Sequence, residues 1–315
     1  MKQNNKVSYL PAWISIFLVL ALGSCIMEYP GVADIPVAEE TDLKLSFSYE
    51  GNIADNKVLD YKIFVFDHNN TFVGFWDGQN IVDFSRRVLI DMKLNPGIYH
   101  FIGWLNNKSL SLYPQKPIPG VTRLGEFRLD LNMENNVVEN DNFPTSAPLF
   151  YGEIPEIHLF KNVPIEPSLS LKQLSYRIGV RVAGLDNSDL YELEIEDRIQ
   201  GLDFKGIPIY GQKMFYRTSL SPITYNVSEI AGFVPALLLS KDRKDQILRI
   251  WNKKSNKLVY ERNLIDLILE QDNKIDFFKV HTLNLSLIFD NKGNVSIKLE
   301  VKDWDEIKDN GGLHG

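Results

Sequence analysis

The side chains that most often carry catalysis or metal binding are few and scattered in this sequence. No two histidines have the spacing that places a zinc-binding pair on one helix face. The five are His68, His100, His158, His281 and His314. No glycine-rich phosphate loop follows a predicted strand, and no G-x-S-x-G sequence is present. We therefore predict no catalytic, cofactor-binding or metal-ligating residue, and we predict that the protein is not an enzyme.

Three turns rich in Asp and Asn could offer oxygen ligands to calcium. In the first, residues 67–71, oxygen-bearing side chains stand at alternate positions, but Phe72 occupies the place where an EF-hand loop needs glycine. The other two turns are residues 139–142 and 186–189. Because Asp and Asn side chains in turns usually bond to their own backbone, we predict solvated turns at all three places.

Two further groups of residues could act on sugars or bind them. Glu192, Glu194 and Glu196 share one face of a predicted strand at a spacing of about 7 Å, which is within the range of an inverting glycosidase. They alternate with apolar residues, which favours instead the solvent-exposed face of an ordinary strand. Aromatic side chains could stack on sugar rings, although most are buried in β-sandwich cores; the candidates are Trp76, Tyr113 and Trp251.

The residues that precede Cys25, the only cysteine of the chain, indicate a role for its thiol. Lys2 and Lys6 precede an uninterrupted apolar run over residues 12–22, and Gly-Ser-Cys follows. This is typical of a secretory signal, and the small residues before the cysteine resemble the lipobox of bacterial lipoproteins. We predict cleavage after residue 24 and attachment of diacylglycerol and an N-acyl chain to Cys25, enough for stable anchoring. The alternative is an ordinary signal peptide with an incidental cysteine.

Composition narrows the class of protein. The chain has 315 residues, of which 44% are hydrophobic and 24% charged, and these fractions are typical of a folded globular protein. Its length favours two domains. The net charge of −7 argues against nucleic acid as a partner, because phosphate binding needs clustered positive charge.

Alternation of apolar and polar residues predicts β-strands along the N-terminal half. Residues 43–49 alternate, whereas residues 61–67 are apolar on both faces, as expected of a central strand with residues 71–76 as its hairpin partner. Residues 88–94 and 98–105, joined by Asn-Pro-Gly, predict a second hairpin.

The C-terminal half repeats this pattern. Residues 132–148 have the composition of a loop, and residues 283–290 and 295–301 predict a hairpin. Only residues 264–271 have helical spacing. Many short strands with little helix predict an all-β fold of two tandem β-sandwiches, of the transthyretin or immunoglobulin type.

These elements give a predicted domain organisation. It consists of a lipoprotein signal peptide (1–24), a lipidated cysteine and tether (25–42), an N-terminal β-sandwich (43–160), a C-terminal β-sandwich (161–306) and a polar tail (307–315).

The order of several motifs resembles one known family. After the lipobox come YKIFVFD, LNPGIYHFIGWLNN, APLFYGEI, LKQLSYRIGVRVAGL and finally LSLIFDNKGNVSIKLEVKDW. This order is similar to that of the anchor and minor-subunit lipoproteins of Bacteroidales type V fimbriae, the FimB-like, fimbrillin-associated anchor family. The resemblance spans nearly the whole chain and implies transthyretin-like sandwiches, a lipid anchor in the outer membrane, and exposure at the cell surface.

The resemblance also implies partners. They are the fimbrial shaft and accessory subunits, with no nucleic acid and no small-molecule substrate, and such anchors attach the shaft and can limit its length. Shaft subunits of this class resemble proteins joined by strand exchange. Residues 305–315 contain no alternating apolar run, so we expect this protein to receive a strand rather than donate one. The alternatives are a surface glycan-binding lipoprotein and a fimbrial tip adhesin.

Overall fold

The chain folds almost entirely as β-strands. In a computed structural model, the structure describes residues 40–50, 58–79, 89–139, 147–185, 190–223, 226–290 and 292–301. Within these ranges the elements are nineteen strands, one α-helix and two short 3-10 helices. The predicted all-β fold class is confirmed. The lipobox and Cys25 lie outside the described residues, as does His314.

The strands are numbered in chain order. The first ten are β1 (Thr41–Tyr49), β2 (Asp60–Asp67), β3 (Phe72–Gln79), β4 (Leu89–Leu94), β5 (Gly97–Leu105), β6 (Leu112–Pro114), β7 (Arg128–Leu131), β8 (Val137–Glu139), β9 (Phe150–Leu159) and β10 (Ser168–Gln173). The others are β11 (Ser175–Ala183), β12 (Tyr191–Asp203), β13 (Pro208–Ser219), β14 (Ser221–Ile223), β15 (Asn226–Leu237), β16 (Ile247–Asn252), β17 (Lys257–Asn263), β18 (Thr282–Phe289) and β19 (Val295–Glu300). The helix α1 (Leu264–Gln271) and the 3-10 helices Asn107–Leu110 and Leu124–Glu126 complete the set.

The strands form three sheets. The first has seven strands in the order β3-β2-β5-β9-β10-β1-β4. The second has five, in the order β14-β15-β11-β18-β19. The third has the order β17-β16-β12-β13-β8. In addition, β7 pairs with β12, and β6 pairs with β7.

The predicted hairpin of residues 88–94 and 98–105 is wrong. β4 pairs antiparallel with β1, whereas β5 pairs with β2 and β9. The Asn-Pro-Gly connection therefore carries the chain from one edge of the first sheet to its interior. The hydroxyl of Tyr99 donates a hydrogen bond to the carbonyl of Asn95 at 2.9 Å and closes this connection.

The apolar faces of β2 serve two different cores. Ile63 and Val65 point into a core bounded by the first sheet alone, with Leu43, Leu45 and Phe101. Phe64 and Phe66 point the other way, into a larger core that extends to β11, β12, β18 and α1. We call this second core the shared core. It explains why residues 61–67 carry no polar face, and it confirms their placement inside the sheet.

The two halves of the chain exchange strands. β10 comes after residue 160 in the sequence, yet it pairs with β1 in the first sheet. β7 and β8 come before residue 160, yet they pair with β12 and β13 in the third sheet. Gly201 permits the contact between β7 and β12, since a Cβ there would lie 2.3 Å from the carbonyl oxygen of Leu129. The division into sandwiches at residue 160 stays a prediction.

Other local predictions are confirmed. The helix spans residues 264–271 as expected, and its N-terminus is capped by the side chain of Asn263, which accepts from the Asp266 amide at 2.9 Å. β18 and β19 form the predicted hairpin. The predicted loop of residues 132–148, by contrast, contains the short strand β8, which pairs in parallel with β13.

Candidate interaction site

The described histidines do not assemble into a catalytic or metal site. His100 lies 3.4 Å from Glu153, and burial lowers its pKa against the opposing effect of that carboxylate. His158 pairs with Glu156 at 2.8 Å, and burial lowers the pKa of His281. Within the described part of the chain, no group of three or more His, Cys, Asp or Glu side chains could hold a metal ion.

The one candidate calcium turn that is fully described binds its own backbone. The Oδ1 atom of Asp67 accepts hydrogen bonds from the amides of Asn69 and Thr71, at 2.9 and 2.8 Å. Asn70 adopts a left-handed conformation with φ of 59°. Residues 140–142 and 186–189 lie outside the described residues.

The glutamates on β12 do not form the exposed face predicted from their alternation. Glu194 and Glu196 are only 2% and 5% exposed. Cross-strand pairing sets Glu194 directly between Arg217 of β13 and Arg249 of β16. Arg217 donates to its carboxylate at 2.7 Å and Arg249 at 3.2 Å. The prediction failed because long basic side chains from neighbouring strands cover this face.

Basic side chains also contact other glutamates on this face. Lys213 and Arg249 contact Glu196 at 2.7 and 2.8 Å, and Glu261 accepts from Arg249 at 2.5 Å. Burial would raise the pKa of Glu196, but the hydrogen bonds from Lys213 and Arg249 outweigh it and lower that pKa. A glycosidase acid needs a carboxyl whose pKa is raised, so Glu196 does not fit that role.

The three aromatic candidates for sugar binding do not share one environment. Trp76 packs against the core of the first sheet, and the indole of Trp251 donates to Glu194 at 3.3 Å. Only Tyr113 belongs to the exposed apolar residues. These contacts favour structural roles for both tryptophans.

A second buried charge cluster has no signal in the sequence. Asp197 is fully buried where β12 shifts register against β13, and Arg243 donates to its Oδ1 atom at 2.5 Å. Gln246 donates to the Oδ2 atom at 2.9 Å, and the amide of Ile199 donates to Oδ1 at 3.1 Å. Arg243 also donates to the carbonyl of Leu237 at 2.8 Å. The cluster therefore fixes the irregular part of β12 to the connection between β15 and β16.

Edge strands of the sheets offer backbone groups to another chain, and β4 and β19 are two of them. β4 ends the first sheet on the side opposite β3, and β19 ends the second sheet on the side opposite β14; within the described ranges neither β4 nor β19 has a strand on its outer side. β4 buries Ile90, Met92 and Leu94 on its inner face. On β19, apolar side chains pack half-buried against the shared core; they are Val295, Ile297 and Leu299. Such edges can accept a further strand through main-chain hydrogen bonds.

Comparison with known proteins identifies the family to which the chain belongs. The sequence matches the family described as fimbrillin-A associated anchor proteins Mfa1 and Mfa2 over residues 34–310. The chain belongs to this family. No curated protein matches the chain.

Solved structures share the fold. The fimbrial anchor protein Mfa2 from Porphyromonas gingivalis is 16% identical, with a TM-score of 0.62 over 83% of this chain and 98% of that one. A proposed polysaccharide-binding protein from Bacteroides thetaiotaomicron is 18% identical, with a TM-score of 0.68 over 84% of this chain and 99% of that one. A proposed adhesin from the same species is 16% identical, with a TM-score of 0.64 over 85% and 98%.

Membership of the Mfa2 family indicates a role associated with fimbriae at the cell surface. The predicted resemblance is thereby confirmed, and the family consists of structural rather than catalytic proteins. Within the described residues, no helix has both the length and the apolar character that crossing a bilayer requires.

Proposed function

We propose that this protein is a lipid-tethered anchor or accessory subunit of a type V fimbria, which attaches the shaft to the outer membrane and limits its length. The match to the fimbrillin-A associated anchor family over residues 34–310 carries this proposal. The lipobox-like sequence ending at Cys25 supports the tether. The exposed edges of β4 and β19 support a role as an acceptor of other subunits.

Replacing Cys25 with alanine tests the tether. Because only the thiol can carry the diacylglycerol, we expect a strain with Cys25→Ala to release assembled fimbriae into the medium, where immunoblotting of the shaft protein detects them. Ser24→Ala, which keeps a small residue before the cysteine, is the matched control and should leave fimbriae on cells. If fimbriae of the Cys25→Ala strain stay on the cells, the anchor assignment is wrong and a tip or glycan-binding role takes its place.

Strand acceptance is tested by amide hydrogen exchange. Adding a peptide with the donor-strand sequence of a shaft subunit should slow exchange along one edge, in β4 or in β19, because added backbone hydrogen bonds protect amides. A peptide of the same composition in scrambled order is the control. Unchanged exchange at every edge with the donor peptide would exclude acceptance of a strand by this chain.

A further inference from the structure

An apolar patch is exposed at the end of the first sheet where β1 begins. It consists of Ile98, Phe160 and Val163, which are 38%, 59% and 46% exposed, and we call it the end patch. Ile98 pairs across the strands with His158, whose ring centre lies 6.3 Å from that of Phe160. The amide of Val163 donates to the Phe160 carbonyl at 3.2 Å, so a hydrogen-bonded turn joins these two residues.

The end patch lies beside the first residue of β1. The hydroxyl of Thr41 donates to the carbonyl of Phe160 at 3.1 Å. Thr41 also pairs with Leu94, which stands just before the connection that leads to Ile98. Cys25 precedes Thr41 by 41 − 25 = 16 residues. A chain of that length spans at most about 55 Å even when fully extended, so a lipid on Cys25 puts the membrane within reach of this end of the body.

We propose that the end patch contacts the surface of the lipid bilayer. This inference rests on the lipid tether proposed above for Cys25. Exposed apolar groups of this kind mark interaction surfaces, and a bilayer within reach offers burial at the boundary between headgroups and acyl chains. The tether alone would leave the orientation of the body free. The end patch would instead hold β1 pointing away from the membrane, with the Tyr49 end toward other subunits.

A second exposed side chain provides a matched comparison. Phe278 is 94% exposed, on the turn between α1 and β18. In the same turn, the His281 ring bonds to the backbone of Gln173, and the Gln173 side chain accepts from the Tyr49 hydroxyl at 3.3 Å. Phe278 therefore lies toward the Tyr49 end of β1. β1 is about 26 Å long, so Phe278 and the end patch lie toward opposite ends of that strand.

The experiment uses the single cysteine of the chain. Because lipidation would occupy the thiol of Cys25, a second cysteine introduced by Phe160→Cys or Phe278→Cys is the only free thiol for labelling. Each full-length lipidated variant is labelled with an environment-sensitive fluorophore and reconstituted into vesicles of phosphatidylethanolamine and phosphatidylglycerol that contain nitroxide-labelled lipid. Both replaced side chains are exposed, so both variants should fold, which circular dichroism verifies.

We expect nitroxide lipid to quench the label at position 160 about threefold more strongly than the label at position 278, because interfacial side chains sit about 5–10 Å into the bilayer boundary. Equal, weak quenching at both positions in vesicle-bound protein would overturn the inference while leaving the tether intact. A blue shift at position 160 without quenching would assign the patch to a second protein copy and also overturn it. Protein that fails to stay with the vesicles would instead contradict the proposed anchoring.

Discussion

Asp197→Ala is expected to lower the free energy of unfolding by about 3–5 kcal/mol, because it leaves the buried guanidinium of Arg243 without its most buried partner. Asp197 is fully buried and accepts from Arg243, Gln246 and the Ile199 amide. Removing its carboxylate takes the acceptor from four donors, since the Arg198 amide also bonds to it at 2.6 Å, and leaves Arg243 with Asp245 and the Leu237 carbonyl as its acceptors. Urea denaturation of the purified chain measures the change.

An exposed ion pair provides the control for Asp197. Glu270 accepts from Arg262 at 2.5 Å, and the two side chains are about half exposed to solvent. Glu270→Ala should therefore cost no more than about 1 kcal/mol. The double variant Asp197→Leu with Arg243→Met should recover only part of the loss. It removes the buried guanidinium, but Gln246 and the two backbone amides that donate to Asp197 still lack that acceptor. Equal effects of Asp197→Ala and Glu270→Ala would show that the buried cluster does not hold the fold together.

Trp104→Ala is also expected to cost about 3–5 kcal/mol, the usual range for removing a large buried aromatic side chain. Trp104 is fully buried in the shared core, and its ring centre lies 4.9 Å from that of Tyr151. The turn between β12 and β13 covers Tyr151, since a Cβ at Gly206 would lie 3.3 Å from its ring. Thermal or urea unfolding measures the loss, which should affect both halves of the chain together.

Two other variants test whether the loss comes from the buried packing of Trp104 and not from the removal of an aromatic side chain as such. Trp104→Phe keeps most of the ring volume and removes an indole Nε1 that has no hydrogen-bond partner among the described residues, so its cost should be well below that of alanine. Phe278→Ala removes an equally apolar but exposed side chain and should change stability by less than about 0.5 kcal/mol. A Trp104→Ala protein as stable as the parent would contradict the placement of Trp104 in the shared core.

Local periodicity and turn residues predicted where strands and the helix lie and the hairpins β2–β3 and β18–β19, but not the pairing of strands far apart in the sequence. The alternation of residues 43–49 and the spacing of residues 264–271 correspond directly to β1 and α1. The Asn-Pro-Gly connection suggested a hairpin because such turns often reverse the chain, yet β4 pairs with β1. Strand pairing depends on contacts between residues far apart in sequence, and one sequence carries no local signal for them.

The same limit applies to the charged residues. Alternation correctly placed Glu194 and Leu193 on opposite faces of β12, with Leu193 in the shared core. It could not show that Arg217 and Arg249 stand on either side of Glu194, because those neighbours come from other strands. Asp197 and Arg243 are likewise 46 residues apart and meet only in the folded chain.

The position of β1 has a mechanical consequence for a protein tethered through its N-terminal segment. β1 lies inside the first sheet, antiparallel to β4 and parallel to β10, and its amides also donate to the carbonyls of Ile165 and Pro167. Tension applied ahead of Thr41 and resisted farther along the body pulls β1 lengthwise. The hydrogen bonds on both its sides then carry the load simultaneously, in shear, instead of opening one after another. A strand held in this way resists extraction far better than one peeled from an edge, and this resistance is what the proposed anchoring of a filament would require.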